Sequence, residues 1–191
     1  MDTPIGGGAA WAKGISPDRR NREKDDFYPT PSSAVEALLS VEQFHGQIWE
    51  PACGDGAISK VLEAAGHDVI SSDLVDRGFG FPKRDFLMEW EAHVDNIVTN
   101  PPFKLAEQFA EHSLRHSRRK VAFLCRLAWL EGKERGKMFA STPLAKVWVF
   151  SSRVQMTRAG KPMLEGGGMI AFAWFVWDHE HKGPPILGWL P

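Results

Sequence analysis

A strand, a glycine loop and a helix follow one another between Gln47 and Gly66, and this order constrains the fold more than any other segment of the chain. Gln47-Ile48-Trp49-Glu50 is a short β-prone run that leads into Pro51-Ala52-Cys53-Gly54-Asp55-Gly56. Gly54 and Gly56 let backbone approach a ligand closely, and the amides opening the following helix near Ala57 offer donors to a carboxylate or another anion. The loop lacks the third glycine of the dinucleotide fingerprint and the Gly-Lys-Ser/Thr ending of a phosphate-binding loop, which weakens both of those readings. The next strand, His67 to Ser72, ends in Asp73. An acid about 20 residues past a glycine loop is where an α/β nucleotide fold places a carboxylate for ribose hydroxyls; the alternative for Asp73 is a turn or helix cap.

A second strand end carries more specific chemistry. Asn96-Ile97-Val98-Thr99 reads as the end of a buried strand and runs into Asn100-Pro101-Pro102-Phe103. Each proline lacks an amide proton and biases its predecessor toward extended geometry, so the carbonyls of Asn100 and Pro101 are left to accept hydrogen bonds. An exocyclic amine that donates to the Asn100 side-chain oxygen and the Pro101 carbonyl turns its lone pair out of the ring plane and becomes a nucleophile. Phe103 offers a face on which a planar ring can stack. The plainer alternative is a strand-ending turn, which such dipeptides make in many loops.

These segments together resemble the S-adenosylmethionine-dependent amino-methyltransferases, and within them the N6-adenine DNA methyltransferases of phages, prophages and restriction-modification systems. Four segments match in the family's order. Phe27-Tyr28-Pro29-Thr30-Pro31 looks like the motif that contacts the methionine end of the cofactor, with Tyr28 and Thr30 as the contacts. Glu50-Pro51-Ala52-Cys53-Gly54-Asp55-Gly56 is similar to the cofactor loop, which implies cofactor binding by Glu50, Pro51, Ala52, Gly54 and Gly56. Asp73 sits where the family binds the ribose. Asp85-Phe86-Leu87 resembles the segment whose acid accepts from the cofactor's adenine amine while the aromatic lies beside the ring; the alternative is an ordinary loop. Asn100, Pro101, Pro102 and Phe103 match the catalytic motif, and the motif order resembles the gamma arrangement. The likeness covers roughly residues 25 to 191. Larger relatives carry a separate target-recognition domain, for which this chain lacks the length.

The resemblance implies a Rossmann-like class I methyltransferase: an α/β fold with a seven-stranded mixed sheet, helices on both faces and one antiparallel strand near its edge. At 191 residues and 43% hydrophobic content the chain suits one α/β domain. Residues 1–24 mix glycine, proline and charge without periodicity and read as a mobile arm, leaving 25–191 as the catalytic domain. The helix after Pro31 puts Val35, Leu38 and Leu39 on one face, with Thr30 available as its cap. Further apolar segments are a helix near Lys104, a short strand at Val121 to Leu124, and two runs, Ala145 to Phe150 and Met169 to Trp177, that read as a hairpin.

Charge and composition bear on the partner. Twelve Lys and Arg but only two acidic residues lie between Arg115 and Lys161, in a chain whose net charge is -1. Such a segment attracts phosphates; alternatively Arg115 to Lys120 is a solvated helix end. Arg126, Lys133, Arg135 and Lys137 follow a strand whose C-terminal end opens on the same crevice as Asn100. Cys53 and Cys125 have no paired spacing and read as reduced packing residues, and the seven histidines show no ligand spacing, so no metal is expected. No apolar run has membrane-spanning length and the first residues lack the blocks of a signal peptide, so a cytoplasmic protein without a membrane partner is expected. The resemblance implies methyl transfer from S-adenosylmethionine to adenine N6 in DNA. RNA adenine, a protein glutamine amide, or a non-catalytic nucleic-acid-binding regulator are the alternatives.

Overall fold

Strands and helices alternate through residues 27–90, 93–156 and 170–191, the parts of the chain that the computed structural model describes. The arm expected over residues 1–24 lies outside them. The elements are α1 (Ser32–Val41), β1 (Ile48–Glu50), α2 (Ser59–Ala64), β2 (Val69–Ser71), β3 (Val94–Thr99), α3 (Ala106–His116), β4 (Ser117–Arg126), α4 (Lys133–Ser141), β5 (Leu144–Phe150), β6 (Phe172–Asp178) and β7 (Ile186–Leu190). One seven-stranded sheet has the order β2-β1-β3-β4-β6-β5-β7. Only β6 runs against its neighbours, β4 and β5; the other pairings are parallel. This is the expected mixed sheet, with the antiparallel strand two places in from the β7 edge.

The period-two alternation of strand side chains divides the core into two layers. Ala122 and Leu124 of β4, with Trp174 and Val176 of β6, face α1 and α2, where Val35, Leu38, Ile58 and Leu62 are buried. Val121, Phe123 and Cys125, with Phe175 and Trp177, face α3 through Phe109 and Ala110. Helices therefore cover both faces. The two indoles buried in β6 satisfy their donors: Trp174 Nε1 donates to the Ala34 carbonyl (2.8 Å) and Trp177 Nε1 to Thr142 Oγ1 (3.0 Å).

Five elements depart from the sequence reading. β4 starts at Ser117, directly after α3, so only Arg115 of the Arg115–Lys120 cluster belongs to a helix end. The β3 pairing extends the strand in the N-terminal direction beyond its apolar part. β7 is not among the strands read from sequence, since Pro184 and Pro185 directly precede it and Gly188 interrupts its β-prone residues. α4 occupies a stretch read as loop; none of its residues is buried, so it has no apolar stripe to betray it. α2 begins at Ser59 rather than near Ala57, and its first amide is occupied internally, as described below.

At the N-terminal pole of the sheet, buried Glu42 accepts from Lys120 Nζ (2.8 Å), Lys146 Nζ (2.7 Å) and Trp148 Nε1 (2.9 Å). Burial pushes the Glu42 carboxyl upward, and the hydrogen bonds from Lys120, Lys146 and Trp148 outweigh it, leaving it below its ordinary value. Two of the cations expected to form a phosphate-attracting stretch are thus half-buried and paired with an internal carboxylate. Arg135 pairs with Glu107 (3.2 Å), Lys137 with Glu134 (3.0 Å) and Arg115 with Glu111 (3.9 Å), so the basic segment is not one free face. Among the described residues, no helix is long and apolar enough to cross a membrane, and no group of three or more His, Cys, Asp or Glu is placed to hold a metal ion.

Candidate active site

The parallel strands β1, β2, β3 and β4 all end on one edge of the sheet, and between β1 and β3 the strand order reverses direction. A crevice opens at such a switch point because the loops leaving the two strands diverge. Here it is a cleft lined by the Phe27–Thr30 segment, the glycine loop, Asp73, Asp85, Phe86 and Asn100, among others.

Asn100 is fixed by its amide protons. Nδ2 donates to the Tyr28 carbonyl (3.3 Å) and to Thr30 Oγ1 (3.2 Å), and because a backbone carbonyl can only accept, the carboxamide cannot be turned the other way. Both donors are spent. Among the described residues Oδ1 is buried without a hydrogen-bond partner, a state that costs about 1–3 kcal/mol. Thr30 does not cap α1, whose cap residue is Pro31 and which has no side-chain cap bond; its hydroxyl serves Asn100 instead.

The glycine loop is held from three sides. Gly54 and Gly56 have φ of 57° and 81°, which side chains rarely adopt. A Cβ at Gly54 would collide with the ring of Phe27, and one at Gly56 would lie 2.6 Å from Phe79. Asp73 Oδ2 accepts from the Gly54 amide (2.8 Å) and Oδ1 from the Val75 amide (2.7 Å), so one carboxylate closes its own turn and ties β2 to the loop. Each oxygen keeps a lone pair for a further donor. Glu50, 2% exposed, accepts from the Ser59 amide (2.8 Å) and from the Ser59 hydroxyl. The Ser59 amide that opens α2 therefore serves an internal carboxylate, while Ala57 and Ile58 just before it line the cleft.

Burial raises the Glu50 carboxyl well above its usual range; the Ser59 bonds oppose it, and Asp73 and Asp55 add to it. The Cys53 thiol is pushed up to about 12, first by burial and then by the charge of Glu50 and Asp73. A thiol so disfavoured as thiolate is no nucleophile at neutral pH. Cys125 is also buried, free and raised by burial.

Of the residues named from sequence, the cleft brings together Tyr28, Thr30, Glu50, Pro51, Ala52, Gly54, Asp73, Asp85, Phe86, Asn100 and Pro102. Gly56, Pro101 and Phe103 are not in its lining. Gly56 shapes the loop, and Pro101 is buried. Phe103 stands beside the cleft, stacked at 6.1 Å on Tyr28 and covered by the Arg126 guanidinium at 4.6 Å. Asp85 also caps the short helix Phe86–Met88 through the Leu87 amide (3.1 Å), and Phe86 meets Trp49 edge-on at 5.0 Å. Sequence reasoning missed Arg77, whose guanidinium covers Phe27 at 4.1 Å, and Leu105, which lines the cleft from just before α3. The Asp76-Arg77-Gly78 turn, three residues beyond Asp73, is the signal that marks Arg77.

The donors and walls fit S-adenosylmethionine. Asp73 retains acceptor capacity for hydroxyls, and Asp85 and Phe86 offer an acceptor beside an aromatic edge in the lining of the same cleft.

No family model and no curated protein matches the chain in sequence. Solved structures do match in shape. A putative RNA methyltransferase from Pyrococcus horikoshii superposes with a TM-score of 0.63 at 14% identity, over 83% of this chain and 91% of that one. A modification subunit of a putative type I restriction enzyme from Vibrio vulnificus YJ016 gives 0.58 at 15% identity, over 84% of this chain and 45% of that one, so this chain spans less than half of that subunit. Magnesium protoporphyrin IX methyltransferase from Synechocystis PCC 6803, solved with bound SAM, gives 0.51 at 11% identity over 77% of this chain and 78% of that one. With its seven-stranded mixed sheet and covering helices, the chain has the Rossmann-like fold of class I methyltransferases.

Proposed function

We propose that the protein transfers a methyl group from S-adenosylmethionine to the N6 amine of adenine in DNA. The observation that carries this reading is the Asn100 carboxamide, whose two protons are spent within the chain while its buried oxygen waits for a donor at the cleft. A nucleophilic side chain is not what such a site offers; a hydrogen-bond acceptor for an amine is. Bound S-adenosylmethionine supplies the electrophilic methyl, so the chain's work is to orient and polarise.

Asn100 Oδ1 accepts a hydrogen bond from one N–H of the amine and the Pro101 carbonyl from the other, which rehybridises the nitrogen toward a pyramidal nucleophile that, once methylated, sheds one proton to water. Tyr28 and Thr30 keep the carboxamide from rotating away. Asp73 and the glycine loop hold the ribose end, and Asp85 with Phe86 hold the adenine end. No covalent intermediate on the protein is required, in keeping with the inert Cys53. An adenine in a duplex reaches this cleft only by leaving its stack.

The likeness to a restriction-enzyme modification subunit supports DNA as the carrier of the adenine, and that to a putative RNA methyltransferase makes RNA the second substrate to test. The deciding experiment offers radiolabelled S-adenosylmethionine with unmethylated DNA, RNA and protein extract in parallel, followed by mass spectrometry of the labelled nucleosides. N6-methyladenine from DNA is the expected product. Label confined to RNA, or to glutamine in protein, would move the substrate; no label anywhere, with the cofactor bound, would favour a non-catalytic role.

A further inference from the structure

Two buried histidines stand behind the wall of the cleft that meets the cofactor's adenine in the proposed function. His112 and His116, one turn apart on α3, stack at 4.1 Å, and the Nε2 of each lies 2.9 Å from a single acceptor, the Glu89 carbonyl. A carbonyl accepts through two lone pairs and donates nothing, so each Nε2 carries a proton and both neutral rings are committed to this oxygen. Glu89 directly follows the short helix Phe86–Met88: its amide donates to the Phe86 carbonyl (3.2 Å), and the Met88 amide donates to the Asp85 carbonyl (3.0 Å). His112 also meets the Phe86 ring edge-on at 4.7 Å. A shift of the Glu89 carbonyl is therefore carried within one turn to Asp85 and Phe86, which line the cleft.

A second proton on these rings undoes the arrangement. The Nδ1 of His116 is buried with no partner among the described residues, so a proton placed there finds no acceptor, and two stacked cations repel. Burial keeps both imidazoles below their ordinary value, against the Glu89 and Phe86 carbonyls and Asp85 at His112, with Arg115 adding to it at both and His112 and His93 adding to it at His116. We propose that His112 and His116 are positioning residues for the adenine end of the cofactor: neutral, they fix the Glu89 carbonyl and hold Asp85 and Phe86 in the cleft wall; protonated, they release it, and cofactor affinity falls in mild acid. This inference rests on the assignment of Asp85 and Phe86 to the cofactor's adenine and is independent of the methyl acceptor.

The test is the calorimetric affinity for S-adenosylhomocysteine between pH 7.5 and 5, with circular dichroism to show the fold intact at each pH. The ligand's own titration is common to every variant and cancels in the comparison. Wild type should lose about tenfold in affinity over this range, the loss of roughly one hydrogen bond. Glutamine carries a neutral N–H donor at every pH and alanine carries none. His112→Gln/His116→Gln should accordingly keep the wild-type affinity of pH 7.5 throughout, and His112→Ala/His116→Ala should bind about tenfold more weakly at every pH. If the alanine pair does not fold, the glutamine pair against wild type decides. A wild-type affinity that does not change with pH would overturn the inference. So would a pH dependence that survives in the glutamine pair, which would belong instead to Glu50, the carboxyl that burial raises on the far wall of the cleft. Asp85→Ala is measured alongside. Should it bind as tightly as wild type, the reading of the adenine end fails and this inference with it; should it bind weakly while the histidine variants match wild type at every pH, this inference alone fails.

Discussion

A buried carboxamide oxygen with no partner among the described residues is a cost to folding, and in the proposed function a substrate amine at Asn100 offsets it. Replacing Asn100 by alanine should lower turnover by a factor on the order of 10²–10³ while the cofactor dissociation constant changes little, as read by single-turnover kinetics and calorimetry. Asp73→Ala should act in the opposite sense. It frees the Gly54 and Val75 amides, so cofactor affinity and thermal stability should both fall, the latter by about 1–3 kcal/mol; unchanged affinity in calorimetry would remove Asp73 from the cofactor site. The asparagine is legible in sequence because two prolines after a strand leave few conformations to weigh. Thr30 is not. Local rules make it a helix cap, and only the fold reveals that its hydroxyl meets a residue 70 positions downstream. Phe103 is legible as an aromatic near the amine, yet nothing in the sequence indicates that a guanidinium would cover it.

Elements with continuous apolar runs, β6 above all, can be read from sequence, since burial on both faces leaves no polar alternation to confuse the pattern. β7 cannot, because its stability is borrowed from a neighbour. Gly188 pairs with Trp148 of β5, and a Cβ there would collide with the indole. Gly188→Ala should therefore cost about 1–3 kcal/mol in denaturant unfolding, although alanine favours a strand no less than glycine does. On the opposite side of the sheet, α3 places His112 and His116 one turn apart, stacked at 4.1 Å, with both Nε2 atoms 2.9 Å from the Glu89 carbonyl. Burial pushes both imidazoles below their ordinary value, with further lowering at His116 from His112, His93 and Arg115. The folded protein thus binds fewer protons than the unfolded chain between the lowered values and 6.5, so stability falls as pH drops through that window. Melting temperatures measured from pH 7.5 down to 5.5 should show this slope, and His112→Gln/His116→Gln should flatten it.

At the scale of the whole molecule, the two poles of the sheet have been given different work. The C-terminal pole carries the cleft, and the N-terminal pole carries the Glu42 cluster that joins α1 to β4 and β5. Glu42→Gln leaves two ammonium groups around a neutral amide and should cost on the order of 3 kcal/mol in equilibrium unfolding, with cofactor affinity unaltered in the folded fraction. The depressed Glu42 carboxyl adds its own acid sensitivity: stability present above its unfolded value near 4.5 is lost as pH falls through the lower folded value. The architecture as a class was readable from the alternation of elements, whereas the pairing of Lys120 and Lys146 with Glu42 was not, because charge counts carry no information about which cations turn inward. The insertion of β6 between β4 and β5 has a consequence for biosynthesis. Until residues 172–178 are made, β4 is a bare edge of the four parallel strands and β5 has no strand to pair with, so the unfinished chain exposes unpaired strand edges of the kind that aggregate.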